Sequence, residues 1–144
     1  GGGGRTRARV GPAGVYGEPQ GGAVESVAMA LGGLGVSRLV GVHLPAGCVA
    51  AAPGGLLWRK GSVRLPRSAV RNATGAGDAF AAGVIYGLHE ELPVAQCLRL
   101  GVCVAAASLE GAATSDGVQP LAQCVALGEM AGYRSTSEPA RGGV

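Results

Sequence analysis

Aromatic side chains are scarce in this sequence. One Phe, one Trp and three Tyr make up 3% of its 144 residues, against an apolar fraction of 47%, so any core must be assembled from Ala, Val and Leu. Lysine is nearly missing: Lys60 stands alone beside eleven Arg, and the net charge is only +3. With no basic cluster in the middle of the chain, that balance excludes a nucleic-acid footprint. Long hydrophobic runs are lacking as well. The longest, Gly101 to Leu109 with Ser108 inside it, falls well short of the roughly 20 residues that a membrane span needs. No charged segment followed by an apolar one opens the chain, so neither a leader nor a membrane partner is expected, and the expected location is cytoplasmic. Cysteines are present, but not in pairing patterns. Cys48, Cys97, Cys103 and Cys124 form no C-x-x-C, and with His43 and His89 they form no metal-ligand spacing, so buried thiols and no metal site are expected.

Glycine is what the sequence has in excess: 28 Gly and 8 Pro are a quarter of the chain, at the edge of low-complexity composition. Many lie at the two ends. Residues 1–22 read as a flexible or remnant arm and residues 133–144 as a disordered tail, leaving 23–132 as the folded domain, long enough for a core. Within it, Val24, Val27, Ala28, Leu31 and Leu34 follow a helical period that Gly32, Gly33 and Gly35 stop. Short strands are expected at Arg38 to Val42, Gly47 to Ala52, Leu56 to Lys60 and Ser62 to Leu65, with turns at Pro53-Gly54-Gly55 and Gly61. The period then returns to 3.6. Phe80, Gly83, Val84, Gly87 and Leu88 share one face of a second helix; Val94, Cys97, Leu98, Gly101, Val102 and Ala105 stripe a third that Pro93 opens; and Pro120 opens a fourth with Leu121, Cys124 and Val125 inward. This order indicates an α/β domain whose helices cover a sheet.

The chemistry is concentrated in Asn72-Ala73-Thr74-Gly75-Ala76-Gly77-Asp78-Ala79-Phe80-Ala81-Ala82-Gly83. Two glycines flanking an alanine at a helix start let successive backbone N–H groups converge on an anion, and the helix N-terminus adds positive potential. Asp78, directly after that nest, can hydrogen-bond a hydroxyl that attacks a held phosphoryl group, which is a phosphoryl-transfer arrangement. From the residues alone a plainer reading stands beside it, because Asp in a first helical turn is favoured by the dipole without any chemistry. A dinucleotide fingerprint is excluded, since no apolar strand precedes Gly75 and Phe80 stands where the third glycine belongs; no Gly-Lys-Ser/Thr follows, which excludes a Walker loop. Trp58 reads as strand packing rather than an adenine platform, and His89 as a cation near a helix end.

Asn72 to Gly83 resembles the second signature of the ribokinase-like (PfkB-type) carbohydrate kinases, Asp-Thr-x-Gly-Ala-Gly-Asp-Ala-Phe ahead of a small-residue helix, with Gly-Ala-Gly-Asp-Ala-Phe-x-Ala-Gly intact. Upstream, Leu31 to Gly47 is similar to the family's helix, Leu-Gly-Val, strand and Thr-x-Gly-x-x-Gly unit. Downstream, Pro93 to Gly111 with Val104-Ala105-Ala106-Ala107-Ser108 resembles its alanine-rich, nucleotide-side helix, followed by a loop at Gly111-Ala112. The likeness covers about residues 21 to 132 and implies a ribokinase-like sheet flanked by helices, of which this sequence carries the C-terminal portion.

By that resemblance Asp78 is the base that takes the proton from a sugar hydroxyl, and Gly75, Ala76 and Gly77 form the anion hole for the γ-phosphate. Val42, Leu44, Gly47 and Cys103 fall on the nucleotide side, with ATP as cosubstrate and Mg2+ carried through its phosphates. Asn72 and Thr74 fall where the family builds a monovalent-cation site, although Asn72-Ala73 replaces its Asp-Thr. Val42 and Leu44 replace the Thr and Gly of the phosphate-side motif, which removes a hydroxyl donor. The family's sugar-binding Gly-Gly signature and Asn-x-x-Glu motif do not occur before Val24. Two functions follow: an ATP-dependent sugar or nucleoside kinase whose sugar site needs an N-terminal half, or an inactive kinase fragment that at most binds nucleotide. An uncovered sheet edge or face, and with it homo-oligomers, is expected of the chain alone.

Overall fold

A computed structural model describes residues 21–111 and 119–136. The expected arm up to residue 20, the loop after Gly111 and the end of the tail lie outside the described residues. The elements are α1 (Gly21–Gly32), β1 (Val40–Leu44), β2 (Gly47–Ala52), β3 (Leu56–Gly61), a 3₁₀ turn at Arg67–Ala69, α2 (Ala76–His89), α3 (Val94–Glu110) and α4 (Leu121–Ala131).

The three strands form an antiparallel meander in the order β1-β2-β3. Side chains alternate across a strand, and β2 uses both of its faces. Val49 and Ala51 turn to one side, where Val40 of β1 and Val24 and Ala28 of α1 complete a small core. Cys48 and Ala50 turn to the other, against Phe80 of α2, Leu98 and Val102 of α3 and Cys124 of α4. The sheet is thus sandwiched between α1 and the remaining helices. Across the α1 face, Arg59 of β3 reaches the buried Glu25 at 2.6 Å. Trp58 packs against the larger core.

Small residues decide how α2 meets α3. A methyl added at Gly83 would stand 2.9 Å from Cα and N of Gly101, and one at Gly87 2.8 Å from Sγ of Cys97. These separations are shorter than ordinary carbon contacts of about 3.5–4.0 Å, so the two backbones cross nearly in contact. A sequence poor in aromatics fills its core by bringing helices together rather than by inserting bulk.

Two expectations change. The first strand lies at Val40–Leu44 rather than Arg38 to Val42, because the hairpin ladder runs on through His43 opposite Cys48 and Leu44 opposite Gly47. Ser62 to Leu65 is not a sheet strand. Val63 instead forms a single bridge with Tyr133, flanked by Arg64 N–H donating to the Gly132 carbonyl and Arg134 N–H to the Ser62 carbonyl, each at 2.8 Å. Tyr133 and Arg134 therefore extend the folded chain past the boundary expected at 132.

Candidate functional site

The loop into α2 is held from below. Arg71 and Asn72 N–H groups donate to the Leu109 carbonyl at 2.8 and 3.3 Å, and the Asn72 side-chain oxygen accepts from Thr74 N–H at 2.9 Å. The Asn72 oxygen expected at a cation site thus closes the turn that leads to the helix. Gly75 then takes φ +87, a left-handed conformation that glycine adopts without penalty. The consequence is a helix start without a side-chain cap. Ala79 N–H bonds back to Gly75 and Ala76 N–H makes a long 3.5 Å contact to Ala73, while Gly75, Gly77 and Asp78 N–H groups make no hydrogen bond among the described residues. Nothing lies within 4 Å of a methyl added at Gly77. Three bare donors at a helix N-terminus, with open space beside Gly77, make an anion-attracting corner. Asp78, in the first turn of α2, is exposed beside them.

Ala76 also borders a cavity of about 370 Å3. Its walls are mostly apolar: Leu44 and Pro45 from the β1 hairpin, Val63 and Leu65 beyond β3, Val102 and Leu109 of α3. His43 joins them, its ring stacked on Phe80 with centroids 4.5 Å apart and planes 6° from parallel. Burial lowers the His43 pKa below its ordinary value, so the ring is neutral at pH 7. The stack ties β1 to the first turn of α2, two residues beyond Asp78.

The expected nucleotide-side residues separate. Leu44 lines the cavity. Val42 packs on the α1 face of the sheet, because it lies opposite Val49 in the ladder. Gly47 is pressed against the Lys60 backbone, where a side chain would collide with its carbonyl. Cys103 is fully buried in the larger core, its sulfur 3.4 Å from the Tyr133 hydroxyl. All four cysteines are buried free thiols, as their spacing suggested. Sequence reasoning passed over His43 and Arg134, which also borders the cavity; a hairpin register and a contact with the far end of the chain put them there. Among the described residues no three His, Cys, Asp or Glu side chains gather as metal ligands, and no helix is long and apolar enough to cross a membrane.

Residues 20–120 match the sequence profile of the pfkB family carbohydrate kinases. No curated protein matches the sequence. Among solved structures, the chain is similar to a candidate sugar kinase from Clostridium perfringens, with TM-score 0.59 and 21% identity over 78% of this chain and 34% of that one. It is similar as well to an adenosine kinase from Schistosoma mansoni in complex with 2-fluoroadenosine, with TM-score 0.58 and 20% identity over 69% and 31%. A tetrameric, inhibited form of phosphofructokinase-2 from Escherichia coli matches with TM-score 0.56 and 20% identity over 74% and 34%. The chain spans about a third of the length of each of these proteins.

Proposed function

The chain belongs to the pfkB family of carbohydrate kinases and carries part of their ribokinase-like α/β fold, and on that premise we propose that it forms the phosphoryl-transfer end of an ATP-dependent sugar or nucleoside kinase. The observation that carries this reading is the row of bare N–H groups at Gly75, Gly77 and Asp78, beside an exposed carboxylate and next to an apolar cavity. The cavity takes the flat, apolar part of the nucleotide, and the nest takes the oxygens of its terminal phosphoryl group. No cluster of three His, Cys, Asp or Glu side chains among the described residues would hold Mg2+, so it would be carried by the nucleotide's phosphates and would lower their charge.

Asp78 accepts the proton of the attacking hydroxyl as the oxygen–phosphorus bond forms. The bond from phosphorus to the bridging oxygen breaks, and the electron pair leaves with ADP. The developing charge on the equatorial oxygens meets donors already aimed at it, so little reorganisation is needed. Asp78 is not among the residues that border this cavity. That favours a second reading for the isolated chain, a nucleotide binder whose acceptor-sugar surface belongs to the rest of a kinase of which this chain spans about a third.

Asp78→Asn tests the assignment in a kinase completed to the family's length. Replacing the proton acceptor with a neutral amide of equal size lowers kcat by about 10²–10⁴-fold. ATP affinity changes little, since the phosphates are held by backbone N–H groups. If Asp78 serves only the helix start, kcat is retained and at most about 1 kcal/mol of stability is lost, because Asn suits helix starts too. Unchanged kcat refutes the catalytic role.

A further inference from the structure

Arg134 has no part in the reading above, yet the fold fixes it with care. The segment from Gly132 to Arg134 is stitched to the chain leaving β3 by the two 2.8 Å backbone bonds already described, and Arg64 Nε donates to the Tyr133 carbonyl at 3.0 Å. Tyr133 is pinned in turn: Arg99 Nε donates to its hydroxyl at 3.3 Å, and Lys60 Nζ lies 3.6 Å from its ring centre. The Arg134 carbonyl sits so close to Gly61 that any side chain there would collide with it. The backbone that carries Arg134 is therefore not free to drift.

From that anchored position Arg134 borders the 370 Å3 cavity that Ala76 also borders. It is the one Lys or Arg among the described residues that does so. Its guanidinium makes no hydrogen bond or ion pair among the described residues, as is true of the exposed Arg38, Arg67 and Arg71, but unlike those residues it borders the cavity; Arg59 is paired with Glu25, Arg99 with Glu129, and Arg64 is engaged with Tyr133. An unpaired guanidinium offers only donors and a permanent positive charge, a chemistry that suits phosphate oxygens far better than a neutral base. The apolar walls around it suit the base instead.

We propose that Arg134 is a phosphate-binding residue, which donates to polyphosphate oxygens that the start of α2 does not hold. This rests on the nucleotide reading of the cavity. It also supplies a side-chain donor at a cavity where the Leu44 wall carries none.

Calorimetric titration of the full chain with ATP and, separately, with adenosine tests this at about 50 and 200 mM salt, the range over which phosphate contacts weaken. Arg134→Gln weakens ATP about tenfold, the effect of losing one charge-assisted hydrogen bond, flattens the salt dependence, and leaves adenosine unchanged. Arg134→Lys restores part of the ATP affinity. The backbone bonds that hold the segment do not involve the guanidinium, and a circular dichroism melt matching the unmodified chain checks that the fold persists. ATP affinity unaffected by Arg134→Gln overturns the proposal alone. So does an equal loss for ATP and adenosine, which marks a structural role. An unmodified chain that binds neither ligand overturns the nucleotide reading and this proposal together.

Discussion

Replacing Gly83 with Ala adds one methyl group where α2 crosses α3, and its neighbours there are the Gly101 Cα and N and the Leu100 carbonyl oxygen, each at 2.9 Å. All three are backbone atoms, so no side chain can swing aside, and the helices must part by about 0.6–1 Å to restore ordinary contact. Overpacking of this kind costs about 1–3 kcal/mol, and a rigid backbone neighbour places it toward the upper end. Helix propensity returns about 1 kcal/mol, because Ala is the better helix former. The net loss is about 2 kcal/mol, which for a domain of this size lowers the melting temperature by about 8 °C or more. Gly77→Ala is the control. Its methyl meets nothing within 4 Å, so propensity acts alone and the melting temperature holds or rises. Thermal melts of both variants, followed by circular dichroism, decide the matter. A Gly83→Ala chain as stable as the unmodified one refutes the close-crossing account, as does an equal loss in Gly77→Ala.

Two other outcomes follow from burial. His43 has its pKa lowered by burial, so the unfolded chain binds the proton more readily than the folded one; the stability this confers is present above about pH 6.5 and is lost as pH falls toward the folded-state value. Melts between pH 7.5 and 5.5 show that decline, and His43→Leu removes part of it; an identical slope in the variant refutes the attribution. Burial also pushes the Cys48 thiol up to about 12, with Lys60 opposing, and raises those of Cys97 and Cys124. Iodoacetamide at pH 8 therefore leaves Cys48 unmodified in the folded chain and labels it once urea is added, because the thiolate is the reacting form. Rapid labelling without urea contradicts the buried placement.

The helix start at Gly75–Asp78 was legible because its signal is local: two glycines flanking an alanine, directly ahead of a small-residue helix. The third helix was legible for the same reason, since Cys97, Leu98, Gly101, Val102 and Ala105 recur at helical spacing and all lie in the core or against it. The β1 hairpin was less legible. Val42, His43 and Leu44 differ by single positions, yet alternation sends Val42 to the α1 face and His43 to Phe80, and only the pairing register says which goes where. The partner of Ser62 to Leu65 was not legible at all. An apolar alternation announces that a segment pairs, but not with what, and the partner here arrives 69 residues later.

That last separation bears on the order in which the chain can become complete as it is synthesised. The helical turns and the β1-β2-β3 meander close over short spans and can form as soon as their own residues emerge. The contact of Arg64 with Tyr133 closes a loop of 69 residues, and such long-range closures come late because their entropy cost precedes any gain. One wall of the cavity is therefore finished only when the last few described residues have been made. A nascent chain ending before Gly132 holds its sheet and its four helices but not the wall that Arg134 supplies, so this cavity closes only after the rest of the described fold is in place.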